Sequence, residues 1–220
     1  SSQGIRLLNL IIVPLTIIMV VFSYDIAKVV YKDIPGIILG SEGKYSSYAL
    51  KITQELFSIY AIATYFVSLN SLLTRISFAR RDTKTPLINS LVNLLVNTLS
   101  NIAVFLTLKT YLGIPFSFLL GNIVSMIYIL SIEYKNISQK KIILEENLKI
   151  TGASIVSSIL VYFSFESVLN ILNLKYTYLT SFILVILKLF LSLSITTALI
   201  YKLKIETFTY ILSRILKSLK

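Results

Sequence analysis

The chain has 220 residues, of which 55% are hydrophobic and 14% charged, and its formal net charge is +11. A mean hydropathy of +0.82 leaves too little polar surface to coat a water-soluble fold of this size, so lipid must solvate most of it. The absence of cysteine, histidine and tryptophan excludes disulfides, Cys/His metal sites, thiol nucleophiles and histidine acid–base catalysis. The basic residues lie in short breaks between apolar runs, which favours anionic membrane lipids rather than nucleic acid as partners.

Six apolar runs are long enough to cross a bilayer as helices, which takes roughly 20 residues each. In chain order the predicted spans are 5–30, 48–74, 87–108, 114–133, 151–172 and 179–202, and a basic, helix-compatible tail follows at 203–220. The sequence therefore predicts an all-α integral membrane protein, a six-transmembrane-helix bundle. No signal peptide is visible after Ser1, and the lack of an initial methionine leads us to expect a part of a longer protein.

Proline and turn-forming residues predict local details of these spans. Pro14 lies inside the first span, where it favours a kink. The segment 33–44 is rich in turn formers and is expected to be the longest loop facing water. Thr85 followed by Pro86 resembles an N-cap with proline at the first helical position, which predicts the start of the third span.

The basic residues predict an orientation, because lysine and arginine favour the cytoplasmic side of a membrane. Six of them fall on one side of the predicted spans: Lys28, Lys32, Lys44, Lys51, Lys109 and Lys175. Fourteen fall on the other side, which carries the start of the chain, the loops near 75–86 and 134–150, and the tail. Both ends of this multi-pass segment are therefore expected in the cytoplasm.

A dense cationic loop joins the second and third spans and contains Arg75, Arg80, Arg81, Asp82 and Lys84. At the cytoplasmic interface, each basic residue near anionic lipid is worth about 1 kcal/mol. The loop is interpreted either as an ordinary positive-inside anchor or as a specific element for gating or headgroup contact.

Four asparagines recur every four residues along the third span: Asn89, Asn93, Asn97 and Asn101. Because successive members advance about 40° around a helix, they form a slowly wrapping polar stripe that is poorly suited to face lipid. The stripe is expected to meet protein or water. Two hypotheses follow, namely interhelical hydrogen bonding and one wall of a polar translocation path.

Three ionisable residues fall at membrane depth: Glu55, Glu166 and Lys188. Glu166 and Lys188 lie at similar distances from the turn near 173–178, so an antiparallel hairpin brings them to similar depths. Because a charge in a bilayer is costly unless it is paired or hydrated, the sequence predicts a Glu166–Lys188 ion pair. The alternative is that Lys188 faces a cavity and attracts an anionic group of a substrate.

No arrangement of residues indicates an enzyme. The sequence has no glycine-rich phosphate loop and no nucleophile–base pair, and its carboxylates are scattered over different spans. We expect no cofactor and no metal site. Transport or scaffolding is the class of function that the residues favour.

The cytoplasmic loop also carries a family resemblance. Residues 72–86, LLTRISFARRDTKTP, resemble the loop of the MurJ/MviN-type lipid II flippases, in which an arginine and an aromatic–small pair precede a DTKTP-like sequence. The flanks are similar too: residues 4–8 lead to Pro14, residues 43–45 resemble an outer-loop motif, and residues 111–114 form the expected turn. Recognisable motifs cover residues 4–135, and 136–220 resemble the family only as a helix pair.

The resemblance implies a two-lobed flippase of the bacterial cytoplasmic (inner) membrane, of which this chain supplies the last six of fourteen helices. Residues 1–135 correspond to four transmembrane helices of the C-terminal lobe, and 136–220 to an additional helix pair and a cytoplasmic tail. Such proteins move lipid II, the undecaprenyl-pyrophosphate-linked peptidoglycan precursor, by alternating access. The implied partners are this lipid-linked precursor, membrane lipids and the N-terminal lobe of the same protein. In the family, most of the arginines that hold the pyrophosphate belong to that missing part. The resemblance therefore assigns pyrophosphate binding to no residue of this chain.

Two departures from the family pattern leave the substrate open. The outer loop has an added stretch at 35–40, and Ser77–Phe78 replaces the second aromatic residue of the loop motif. The first alternative is a flippase for another lipid-linked polysaccharide unit, or a multidrug exporter lobe. The second is a non-transporting membrane scaffold of a cell-wall complex.

Overall fold

A computed structural model describes residues 2–39, 46–107, 110–172 and 177–218. In this part of the chain all regular structure is helical, without a strand. The α-helices are α1 (Ser2–Val21), α2 (Ser23–Lys28), α3 (Ile34–Leu39), α4 (Ser47–Ala79), α5 (Lys84–Thr107), α6 (Gly113–Glu133), α7 (Lys140–Leu172), α8 (Tyr178–Lys202) and α9 (Glu206–Ser218). A π-helical turn, Val29–Asp33, joins α2 to α3, and a 3₁₀ turn, Tyr134–Asn136, follows α6.

Six of these helices are long and apolar enough to cross a membrane: α1, α4, α5, α6 with its 3₁₀ turn, α7 and α8. The predicted all-α, six-span architecture is thereby confirmed. The remaining long helix, α9, lies where the sequence predicted a helix-compatible tail. At 13 residues it is about 20 Å long, too short to cross the hydrocarbon core.

The first predicted span, 5–30, is broken, and the loop predicted at 33–44 is wrong over residues 33–39. Helix α1 ends at Val21, Phe22 forms a turn, and α2 continues through the π-helical turn into α3. The N–H of Ile34 bonds to the carbonyl of Val29, one residue further back than in an α-helix. This local widening comes directly before Pro35, whose ring would otherwise crowd the preceding turn. Residues 40–45 lie outside the described residues.

Several helices run beyond the predicted apolar spans. Helix α4 continues to Ala79 and α7 begins at Lys140, well before the predicted start at 151. With 33 residues, α7 is about 50 Å long, whereas the hydrocarbon core of a bilayer is about 30 Å thick. The spans were predicted from apolar residues alone. The helices are longer because backbone hydrogen bonds continue a helix through polar residues as well. Pro14 lies within α1, and the kink there stays a prediction.

The chain divides into two compact units. The first contains described residues from 2–12 and 59–147, and its buried core is formed by Ile5, Leu69, Leu73, Ile129 and Ile137. The second contains described residues from 13–58 and 148–218, and its core is formed by Ile18, Phe22 and Val161. The family resemblance predicted a different division, between four helices of a lobe at 1–135 and an additional helix pair at 136–220. The compact units do not test that division, which stays a prediction.

Helix α5, in the first unit, packs on protein with one face and exposes large apolar side chains elsewhere. One face of α5 packs on α6, where Gly121 allows a close approach: a β-carbon at that position would lie 3.1 Å from the Asn93 carbonyl oxygen. Large apolar side chains elsewhere on α5 are exposed, including Leu99 and Phe105. Such a surface is unfavourable in water and is what a lipid-facing helix requires.

Candidate functional site

Lys188, in α8, is paired with Asp25 of α2. Its ammonium donates to Asp25 Oδ2 at 2.6 Å, and Lys188 is only 7% exposed. The predicted Glu166–Lys188 pair is therefore wrong in its acidic partner. Equal depth along a hairpin fixes the height of two residues but not the side of the helix on which each lies. The sequence did contain a signal for Asp25, since it falls inside the first predicted span.

The segment that carries Asp25 packs lengthwise on α8. Lys28 donates to Ser181 Oγ at 3.4 Å, and α3 and the π-helical turn also contact α8. A β-carbon at Gly36 would lie 2.9 Å from the ring of Tyr178, so the two helices approach too closely there for a larger residue. These contacts hold Asp25 opposite Lys188.

A cavity of about 470 Å³ adjoins this ion pair within the second unit. Its polar lining comes from Tyr24, Asp25, Gln54, Tyr162, Glu166 and Lys188. Glu166 is exposed, whereas Glu55 is half-buried on α4 and is not among the lining residues. The structure thus brings Lys188 and Glu166 to one cavity without pairing them.

Glu133, at the end of α6, joins the cationic loop to α6. Its buried carboxylate accepts a hydrogen bond from Ser77 Oγ at 3.1 Å and forms an ion pair with Arg80. Arg80 is exposed, as are Arg75, Arg81 and Lys84. Arg75 lies in α4 and Lys84 begins α5, so only residues 80–83 of the predicted loop are outside the helices. The motif therefore presents four exposed cations, one of which, Arg80, is held by the buried carboxylate of Glu133.

Asp82, rather than Thr85, caps α5. Its Oδ1 accepts hydrogen bonds from the N–H groups of Lys84 and Thr85, each at 3.0 Å. The helix begins at Lys84, so the predicted N-cap at Thr85 is wrong, and Thr85 and Pro86 are buried in the first turn. Pro86 loses nothing there, because the first N–H groups of a helix have no intrahelical partner. Hydrogen bonds from the side chain and then the backbone of Thr85 are the main causes that lower the pKa of Asp82 below its ordinary 3.8.

Arg6 of α1 and Glu146 of α7 form a buried ion pair that the sequence did not indicate. Two guanidinium nitrogens, Nε and Nη2, each donate to a different Glu146 oxygen at 2.8 Å, and Nη1 donates to Gln139 Oε1 at 3.2 Å. In the sequence, Arg6 is one of the fourteen basic residues that predict the orientation, and it lies in residues 4–8, which resemble the family's pattern. Its partner lies 140 residues away, and no local pattern connects positions so distant.

The first two members of the asparagine stripe bond across helices. Asn89 Nδ2 donates to Asn70 Oδ1 of α4 at 2.6 Å. Asn93 Nδ2 donates to Asn122 Oδ1 and Ser125 Oγ of α6, both at 3.1 Å, and Asn70 Nδ2 donates to the same Ser125 Oγ at 2.9 Å. These side chains form one hydrogen-bonded network that joins α4, α5 and α6.

The last two members of the stripe differ from the first two. Asn101 Nδ2 donates to Asn97 Oδ1 at 2.8 Å, within α5, and both residues are half-buried. The interhelical hydrogen bonds expected for the stripe are thus present at Asn89 and Asn93. A role in a polar translocation path stays a prediction.

The comparisons with known proteins agree with this architecture. The family model described as "Lipid II flippase MurJ" matches residues 1–190. A curated protein of Rickettsia prowazekii (strain Madrid E), "Probable lipid II flippase MurJ", is 27% identical over 157 residues, which are 71% of this chain and 28% of that protein. The solved structure "Lipid II flippase MurJ, inward closed conformation" matches with a TM-score of 0.66 at 17% identity, over 92% of this chain and 39% of that chain.

The three matches support different conclusions. At 17% identity the structural match shows the fold alone, and the chain spans well under half the length of either relative. The family model, however, covers most of the chain. This chain therefore belongs to the MurJ lipid II flippase family.

Proposed function

We propose that this chain is the C-terminal part of a flippase that moves lipid II across the bacterial cytoplasmic membrane by alternating access. The observation that carries the proposal is the match of the MurJ family model to residues 1–190. The six candidate spans and the flippase-like fold support it. In this proposal residues 1–135 supply four helices of a lobe, and 136–220 supply the additional helix pair and the tail.

Buried ion pairs within each unit are consistent with the rigid-body motion that alternating access requires. Alternating access is largely a rigid-body rearrangement of helix bundles around a fixed site. Arg6–Glu146 in the first unit and Lys188–Asp25 in the second oppose repacking of the helices they join, because breaking either leaves a charge buried and unpaired. Such pairs favour helices that move together rather than past one another.

Complementation tests the proposed function. A bacterium depleted of its own lipid II flippase is supplied with the full-length protein that contains this chain, and we expect growth to be restored. Residues 1–220 alone serve as the control and should not restore growth, since a single lobe forms no alternating-access cavity. Continued lysis with normal amounts of full-length protein in the membrane would contradict the proposal.

Transport assays separate the substrates. Proteoliposomes containing the full-length protein are loaded with labelled lipid II or with another lipid-linked saccharide, and transfer between leaflets is followed by quenching of the label. We expect transfer of lipid II. Transfer of the other saccharide alone would assign the first alternative, and transfer of neither would favour a scaffold.

We also propose that both ends of this segment face the cytoplasm. The sequence contains no cysteine, so a single introduced cysteine reports its own position. Thr83→Cys in the cationic loop and Ser47→Cys at the start of α4 are both at exposed positions. In intact spheroplasts an impermeant maleimide should label the second and not the first, and the reverse pattern would contradict the orientation.

A further inference from the structure

The cavity beside Lys188 carries one negative charge without a basic partner among the described residues. Asp25 and Glu166 contribute two carboxylates to its lining, and Lys188 contributes one ammonium. Lys188 is held by Asp25 at 2.6 Å, and Glu166 forms no ion pair with any described residue. The formal charge of the lining is therefore −1.

This charge argues against an anionic ligand. An anion would have to displace Asp25 from Lys188, which leaves that carboxylate in the cavity beside Glu166, where like charges repel. A cation needs no such displacement. It finds the Glu166 carboxylate exposed, with the Tyr162 hydroxyl hydrogen-bonded to it, and the side-chain oxygens of Tyr24 and Gln54 also in the lining.

The remaining lining indicates the kind of cation. Tyr24, Tyr162 and Phe163 place three aromatic rings around the cavity, and the rings of Tyr162 and Phe163 lie edge to face with centroids 5.6 Å apart. Aromatic faces attract cations, and ammonium groups are often recognised by several rings together. Val21 and Ile159 complete an apolar wall. A volume of about 470 Å³ suits a small organic molecule better than a bare metal ion.

We propose that this cavity binds an organic ammonium group, with Glu166 as its counter-ion and Tyr24, Tyr162 and Phe163 around the cation. The ethanolamine headgroup of a phospholipid and a soluble amine present the same chemistry. The inference stands apart from the flippase assignment, because it rests only on residues of the second unit.

Binding of choline to the full-length protein in detergent micelles tests the charge requirement. Isothermal titration compares choline with 3,3-dimethylbutan-1-ol, which has the same shape and no charge. We expect choline to bind about tenfold more tightly than the alcohol. Equal binding of the two, or no binding of choline, would overturn the proposal. Binding of inorganic phosphate that disappears in Lys188→Met would overturn it too, since the cavity would then be an anion site.

Two variants locate the site. Glu166→Gln should weaken choline binding about tenfold, whereas Glu145→Gln, the same substitution at an exposed position of α7 outside the cavity lining, should leave it unchanged. Phe163→Leu provides a second measurement if Glu166→Gln folds poorly: it should weaken choline but not the neutral alcohol. Choline binding by folded Glu166→Gln at the affinity of the parent would refute the assignment.

Two further measurements identify the source of the ammonium group. The protein is extracted from bilayers of phosphatidylethanolamine or of phosphatidylglycerol, and retained lipid is weighed by native mass spectrometry. Retention of phosphatidylethanolamine that Glu166→Gln abolishes assigns the group to a lipid headgroup. Choline binding that phosphatidylethanolamine does not compete with assigns it to a soluble amine.

Discussion

Lys188 and Asp25 form a 2.6 Å ion pair that joins α8 to α2, although they lie 163 residues apart. Both residues belong to segments that the sequence placed at membrane depth. The pair explains how a lysine is tolerated within an apolar helix, because its charge is balanced and its ammonium is hydrogen-bonded. It also frees Glu166 for the cavity.

Breaking the Lys188–Asp25 pair should destabilise the second unit more than removing both partners. Lys188→Met alone leaves Asp25 unpaired and is expected to cost about 3 kcal/mol of unfolding free energy. Lys188→Met combined with Asp25→Leu should recover most of that loss, as measured by unfolding in mixed micelles. Lys188→Met combined with Glu166→Leu should instead show additive losses. A coupling of Lys188 to Glu166 rather than to Asp25 would contradict the observed pairing.

Arg6 should not tolerate replacement by lysine. Its guanidinium meets Glu146 through two parallel hydrogen bonds, which an ammonium cannot reproduce. We expect Arg6→Lys to lower the unfolding free energy by about 2 kcal/mol and Arg6→Met by about 3 kcal/mol. Arg75→Met, at an exposed position, should stay within about 0.5 kcal/mol of the parent protein. Equal effects at positions 6 and 75 would show that the buried pair contributes nothing.

Glu133 should control the accessibility of the cationic loop. Glu133→Ala removes the acceptor of both Ser77 and Arg80 and leaves Arg80 without its carboxylate partner. We expect Thr83→Cys to react faster with a maleimide in the Glu133→Ala background, because the loop opens more often. Glu145→Gln is the control and should leave the rate unchanged. An unaltered rate in Glu133→Ala would mean that other contacts hold the loop.

Asp82 should make the first turn of α5 sensitive to acid. Its pKa is lowered in the folded protein, so the cap contributes stability above the ordinary value of 3.8, and that contribution is lost as the pH falls from there through the folded value. Amide protection of Lys84 and Thr85, corrected for intrinsic exchange, should be constant near neutral pH and decline only below that value. Asp82→Asn keeps an acceptor and should remove the pH dependence. A decline that persists in Asp82→Asn would point to another group.

Members of the asparagine stripe should differ in their effect on stability. Asn93→Leu removes hydrogen bonds to α6, each worth about 0.6 kcal/mol in a membrane, so a loss of about 1 kcal/mol is expected. Asn101→Leu, the same substitution on the same helix, removes only a bond within α5 and should be close to neutral. Unfolding of both variants in mixed micelles makes the comparison. A larger loss at Asn101 would contradict the network.

Sequence patterns predicted the site residues unevenly. Hydrogen bonding across helices was one of two hypotheses for the asparagines of α5, and Asn89 and Asn93 do bond in this way, because a period of four on one helix already defines a face. Lys188 was expected to be paired, because the cost of an unpaired charge in a bilayer can be recognised from that residue and its apolar neighbours in sequence. Its partner was predicted wrongly, because the choice between Glu166 and Asp25 depends on how helices are rotated against each other.

The sequence by itself determined that lipid is the solvent and that there are six spans, because the length of an apolar run is a local property that backbone hydrogen bonding in lipid turns directly into a helix. It also determined the family, because the loop motif is contiguous in the chain. Only the tertiary structure decided that Arg6 meets Glu146, that Glu133 holds Arg80, and that Glu166 shares a cavity with a lysine already neutralised by Asp25. Those outcomes depend on side-chain directions from helices far apart in sequence. No pattern along the chain encodes them until the helices are packed.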